Sequence, residues 1–203
     1  MIYYGGRDIM NERRVLFCNI AYMKYYRGIT KEDMPVNGGR YVREESDAME
    51  KYNFLSCDDG LCRGYVEVSH VNGYKSKDSR SKRIGIERID RNFRDRDDID
   101  GVIVIFFAKP DKGEHVIVGW YENATVYRNY KLYKGRFYNI AAKADDCKLI
   151  EYNNRNFIIP KGPKDNKRYG FSAGQSNIWY ADRTDAEKEF REKVLKYIHK
   201  LDM

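Results

Sequence analysis

The chain has 203 residues, a formal net charge of +7 and a pI near 9.1, with charged residues making up 34% of it. That length fits one domain with a core of ordinary size, which needs neither a metal nor a disulfide to hold it together. No apolar run reaches membrane length and Met1 to Arg14 lacks an apolar signal core, so nothing in the pattern indicates membrane spanning or secretion, and it predicts a reduced, cytoplasmic protein with no membrane partner.

Residues 1–14 mix Tyr, Gly and charge without periodicity and read as a flexible lead-in to a single domain over 15–203. Val15 to Ile20, VLFCNI, is a short apolar run and the predicted first strand, with Asn19 near its end. The loop after it sets Tyr22, Tyr25 and Tyr26 beside Lys24 and Arg27, and a loop leaving a core strand is a common place for binding residues. Arg63 to His70 and Ile84 to Ile89 alternate and read as strands. Between them, Asn72 to Arg83 is a polar, basic loop in which Arg80, Lys82 and Arg83 are candidate phosphate contacts.

Val102 to Ala108 is continuously apolar, as a strand buried on both faces is. Pro110 to Gly113 supplies a turn, and His115 to Tyr121 reads as the returning strand of a hairpin. That strand ends in Gly119-Trp120-Tyr121, with Asn123 close behind. Rings at this rim either close the core or line a pocket for a flat ligand. Lys131 to Tyr133 and Phe137 to Ala141 read as further strands, with short ones at Lys148 to Tyr152 and Phe157 to Ile159. Lys161 to Arg168 holds Gly, Pro and four cations, Lys161, Lys164, Lys167 and Arg168, and reads as a second basic loop. Gly170 to Tyr180 is rich in small residues and ends in Trp179-Tyr180.

Thr184-Asp185-Ala186-Glu187 matches a capping box. Ala186, Phe190, Val194, Tyr197, Ile198 and Leu201 then share one face at helical spacing, which predicts a C-terminal amphipathic helix lying on a sheet. With no βαβ alternation, the pattern predicts an α+β fold: a curved, mostly antiparallel sheet or small barrel with a few helices.

The basic balance points to an anionic partner, nucleic acid first. Tyr is abundant, 18 residues against 9 Phe, and Tyr interleaved with Lys and Arg suits stacking on bases and contact with phosphates, as it also suits half-buried sheet faces. Catalytic signals are weaker. Gly170-Phe171-Ser172-Ala173-Gly174 fits the nucleophile elbow, with Asp182 or Asp185 and His199 following in order, yet a basic loop precedes Ser172 and Gln175-Ser176-Asn177 follows it, where the elbow needs a strand and a helix. The four cysteines contain no Cys-x-x-Cys, Cys57 and Cys62 are spaced so that they could pair, and the three histidines stand apart. No metal or cofactor is called for.

VLFCNIAYMKYY, the entry Asp100-Gly101-Val102, the return ending Gly119-Trp120, and the segments GWYENATVYRN and GQSNIWYAD together carry a resemblance. In pattern, from Val15 to Leu201, the chain resembles the PUA-like superfamily in its EVE and YTH-type branch. More narrowly, it looks like the N-terminal modules found ahead of nuclease domains in bacterial modification-dependent restriction proteins. The resemblance implies a small PUA-like barrel that flips a modified DNA base into an aromatic pocket without catalysis, as the targeting module of a restriction or antiviral defence system, with a fused or associated nuclease. It places Trp120 and Tyr22 as the rings and Asn19 and Asn123 as the amides reading the base edge, with Tyr25, Tyr121 and Trp179 as further pocket candidates. Lys24, Arg27 and the two basic loops would hold the backbone. Tyr22 stands where the YTH-type pocket has a tryptophan. The alternatives are an RNA-binding module of the same superfamily and a hydrolase dependent on Ser172.

Overall fold

The apolar run at the middle of the sequence becomes the middle of a sheet that is covered on both sides. A computed structural model of the chain describes residues 13–37, 44–68 and 83–202. Among them, seven strands form one open sheet: β1 (Val15–Ile20), β2 (Leu61–Gly64), β3 (Asp98–Ala108), β4 (Val116–Tyr133), β5 (Arg136–Lys143), β6 (Cys147–Leu149) and β7 (Ile178–Trp179). Their order is β2-β5-β4-β3-β1-β7, with β6 also on β4. β1 runs parallel to β3 and the other pairings are antiparallel. The described residues also contain the helices α1 (Pro163–Tyr169) and α2 (Asp185–Asp202) and several short 3-10 turns. The expected α+β architecture is therefore present, as an open sheet and not a closed barrel.

Alternation along the inner strands divides the core in two. Val102, Val104, Phe106 and Ala108 of β3 join Leu16, Cys18 and Ile20 of β1 on one face. Ile105 and Phe107 join Val15, Phe17, Ile117 and Trp120 on the other, beneath Val194, Leu195 and Ile198 of α2. The β3–β4 ladder shifts register between Ile99 and Val102, between Val102 and Val104, and between Phe106 and Phe107. Gly101 (φ +68°) and Asn123 (φ +47°) absorb two of these irregularities in left-handed backbone. Bulges of this kind bend a strand and re-aim its side chains, which curves the sheet.

α2 begins as its sequence indicates. Thr184 Oγ1 accepts from the Glu187 amide at 3.2 Å. Glu187 reaches back to the amide of Arg183 at 2.7 Å, one residue before the cap. Of the predicted apolar stripe, Val194 and Ile198 are buried and Phe190 and Tyr197 partly so, while Ala186 and Leu201, in the end turns, are exposed. Leu195 is buried in their place.

Several segments differ from the sequence expectation for identifiable reasons. Lys161 to Arg168 is not a loop but contains most of α1: Pro163 occupies the first turn and Gly170 (φ +78°) the left-handed C-cap, the usual asymmetry of helix ends. The strand expected at Arg63 to His70 stops at Gly64 because side chains take the next amides. Asn53 Oδ1 accepts from Tyr65, Asn139 Oδ1 from Val66, and the Tyr130 hydroxyl from Val68. Ile84 to Ile89 forms a 3-10 turn over Ile86–Arg88, closed by its own bonds from Arg88 to Gly85 and from Ile89 to Ile86. Phe157 to Ile159 makes only an isolated bridge to the start of β4. The lead-in 1–12 and residues 69–82, most of the first basic loop, lie outside the described residues, whereas Arg14 is tied to Asp90 at 2.8 Å. No described helix is long and apolar enough to cross a membrane.

Candidate nucleic-acid interface

The loop after β1 is shaped by two buried charged side chains. Asp33 accepts from the amides of Lys24 (2.5 Å) and Tyr25 (2.9 Å). Arg155 donates to the carbonyls of Met23 and Lys24, each at 2.6 Å, and of Ile150 at 2.9 Å. Tyr26 then takes left-handed backbone (φ +52°), is fully buried and donates its hydroxyl to the Ala21 carbonyl at 2.8 Å. A left-handed residue with its ring turned inward leaves its neighbours, Tyr25 and Arg27, facing outward, and both are exposed.

Across a cleft of about 400 Å³ from them stands Tyr152, in the 3-10 turn Tyr152–Asn154 that follows β6. Lys24, Tyr25, Arg27 and Tyr152 all line this cleft, with Glu151 its one carboxylate. Tyr25 is 47% and Tyr152 42% exposed, so both rings offer surface to a ligand. The Lys24 ammonium lies 5.0 Å from the centroid of the Tyr152 ring. Two exposed rings, two cations and an apolar floor at Ile150 match the chemistry of an unstacked base with its phosphates.

Three of the sequence candidates, Lys24, Tyr25 and Arg27, are thus brought together. The pair Trp120 and Tyr22 is not. Trp120 is 3% exposed, belongs to the core face under α2, and donates its Nε1 to Glu122 at 3.3 Å. Tyr22 packs against the opposite core face, its backbone bridged to Val36 and its ring 5.2 Å from the Arg155 guanidinium. The sheet lies between the two rings, so they form no slot.

Tyr121 is wholly buried, edge-on to Phe106 and Phe54, and burial pushes its phenol well up. Trp179 is 6% exposed in β7, packed on Phe17, Phe171 and Phe190. Asn19 Nδ2 donates to Asn177 Oδ1 at 3.0 Å, and Asn177 in turn to the Glu67 carbonyl at 3.1 Å. Asn123 is exposed on its bulge beside Arg13 and Arg14.

Among the cations, Lys161 is structural. It donates to the carbonyls of Gly174 (3.2 Å) and Ser176 (2.8 Å), and burial pulls its pKa down to about 8. Arg168 pairs with Glu114 at 3.1 Å, while Lys164 and Lys167 are exposed on α1. Arg83 is exposed, and Arg80 and Lys82 lie outside the described residues.

Ser172 is preceded by α1 and followed by β7, and its Oγ accepts from the Gly174 amide at 3.3 Å. Asp182 is held by Arg88 at 2.8 Å and His199 is exposed near the end of α2. His115 sits edge-on to Phe107, where burial and the charges of Lys161 and Lys109 pull it down to about 4. Cys147 donates its thiol to the Lys143 carbonyl at 3.2 Å, the Cys57 sulfur accepts from Arg136 at 3.3 Å, and all four thiols are free, so Cys57 and Cys62 are not paired. Among the described residues no group of three or more His, Cys, Asp or Glu side chains could hold a metal ion.

Tyr152, Asp33 and Arg155 were not singled out by the sequence. A tyrosine in a polar turn and a charge among apolar neighbours carry no local signal of what they will meet. No family model, no curated protein and no solved structure matches the chain.

Proposed function

We propose that the chain is a non-catalytic nucleic-acid-binding module that takes an unstacked base into the cleft of Tyr25 and Tyr152. The observation that carries this reading is the convergence of Lys24, Tyr25, Arg27 and Tyr152 on one cavity, with both rings exposed. Extruding a base costs a few kcal/mol, and stacking on aromatic rings returns about 1–3 kcal/mol per base. Lys24 and Arg27 supply charge for the flanking phosphates. Within this reading the ligand is a modified base in DNA, and the module works in the cytoplasm to direct a restriction nuclease to modified DNA, as the sequence resemblance implies. A methyl group on the base adds apolar area to the stack.

Fluorescence anisotropy tests it with labelled single-stranded and duplex DNA, carrying cytosine or 5-methylcytosine, and with RNA of the same sequence, at two salt concentrations. Tyr25→Ala and Tyr152→Ala should each weaken binding of the preferred strand by about 5- to 150-fold, the equivalent of one lost stacking partner. Unchanged affinity in both variants removes the base cleft. Preference for RNA over both DNAs moves the assignment to RNA binding.

A further inference from the structure

A second cationic feature lies at the other end of β1. Arg13 and Arg14 lead into the strand, Arg88 and Arg91 stand in two successive 3-10 turns, and Lys188 and Arg191 project from α2; together they line a groove of about 520 Å³. Only two carboxylates, Asp90 and Asp182, share it. Both are used to fix arginines. Asp90 Oδ2 accepts from Arg14 Nε (3.1 Å) and Nη2 (2.8 Å), with the Arg14 guanidinium 4.6 Å from the Phe93 ring. Asp182 accepts from Arg88 at 2.8 Å, and Arg88 lies 4.0 Å over the ring of Tyr180. An adjoining cavity of about 560 Å³ shares Arg13, Arg14 and Asp90, adds one further carboxylate, Glu122, and continues to Asn123.

We propose that this groove is a backbone site that holds an extended chain of phosphates, the sugar–phosphate backbone of the same nucleic acid whose base enters the cleft. Two cavities joined through a shared arginine wall suit a linear run of charges better than one small anion. Five of the six cations are arginines, whose planar fork donates to two phosphate oxygens at a time. Two of them are already stacked on rings and anchored by carboxylates, so little side-chain freedom is lost when a phosphate arrives. The groove contributes affinity without reading sequence. It lies before Val15 and the cleft beyond Ile20, so the six residues of β1, at about 3.3 Å each, set the two sites about 20 Å apart. A strand several nucleotides long is needed to occupy both.

The inference rests on the nucleic-acid reading, and a ligand with phosphates but no bases separates the two. Long-chain inorganic polyphosphate should bind the protein and compete with labelled nucleic acid. The exposed pair Arg13→Glu/Arg91→Glu should lower polyphosphate affinity at least tenfold, and should flatten the salt slope of nucleic-acid binding by about 0.7–0.9 per lost phosphate contact. Arg13→Gln/Arg91→Gln, melting as the wild type does, should show the same effect at smaller size. Tyr25→Ala and Tyr152→Ala should leave polyphosphate binding unchanged. If polyphosphate does not bind, or if its affinity and the salt slope are untouched in both arginine pairs, the groove is not a backbone site. If the arginine pairs act as stated while the tyrosine variants bind nucleic acid as the wild type does, the groove stands and the base cleft falls.

Discussion

Glu50 is a carboxyl group in a place that water barely reaches: it is 7% exposed in the 3-10 turn Met49–Tyr52. Burial pushes its pKa up from 4.5 to about 7, against the pull of its own amide and that of Ala21. The sign of the effect on stability follows from proton counting. Between about pH 4.5 and 7 the unfolded chain has released this proton and the folded chain retains it, so stability falls as pH rises through that window and stays low above it. The full swing is on the order of 3 kcal/mol. Glu50→Gln should remove it, leaving a melting temperature that varies less between pH 5 and 7 and is higher than the wild type at pH 8. A thermal melt series across that range is the measurement, and an identical pH profile in wild type and variant contradicts it.

At the scale of elements, the closeness of β4 and β6 depends on one missing side chain. Gly119 pairs with Phe106 on one side and Leu149 on the other. A Cβ there would overlap the Lys148 carbonyl oxygen and lie 2.6 Å from Phe54 Cζ. Backbone cannot move aside as a flexible side chain can, so Gly119→Ala should separate β6 from β4 at a cost of about 1–3 kcal/mol. Because β6 leads directly into the turn that holds Tyr152, the same variant should weaken nucleic-acid binding while leaving polyphosphate binding at the groove intact. Chemical denaturation together with both binding titrations checks this; equal losses for the two ligands would show that the distortion spreads beyond the cleft.

For the molecule as a whole, the sheet buries both faces, so rings that look like ligand contacts in sequence divide between core and surface. Trp120 and Trp179 fill the face under α2, with Phe17, Phe107 and Ile198. Trp120→Ala should therefore cost about 3–5 kcal/mol of stability. It should lower affinity for modified DNA, plain DNA and polyphosphate alike, through loss of folded protein. Tyr25→Ala, at an exposed ring, should leave the melting temperature nearly unchanged and affect base-containing ligands alone. A Trp120 variant that melts like the wild type but loses one ligand selectively would return that ring to the binding site.

What the sequence determined by itself was local or set by burial. Val102 to Ala108 is apolar at consecutive positions, which only a strand covered on both faces requires. VLFCNI coincides with β1, and the Thr184 to Glu187 signal starts α2, because periodicity and capping depend on residues within one turn or strand. The positively charged, tyrosine-rich loop at 22–27 was legible as a candidate site for the same reason. The tertiary structure alone decided which side chains meet. Period-two alternation assigns faces only while the register is unbroken, and the shifts around Gly101, Asn123 and Phe106 break it in the hairpin that carries Trp120. The meeting of Tyr25 with Tyr152, more than a hundred residues apart, follows from β6 pairing with β4 and from Arg155 gripping the Met23 and Lys24 carbonyls. The basic groove likewise draws its arginines from the segment before β1, two short turns and α2. Contacts of this kind are chosen by packing over the whole chain, and no stretch of sequence encodes them singly.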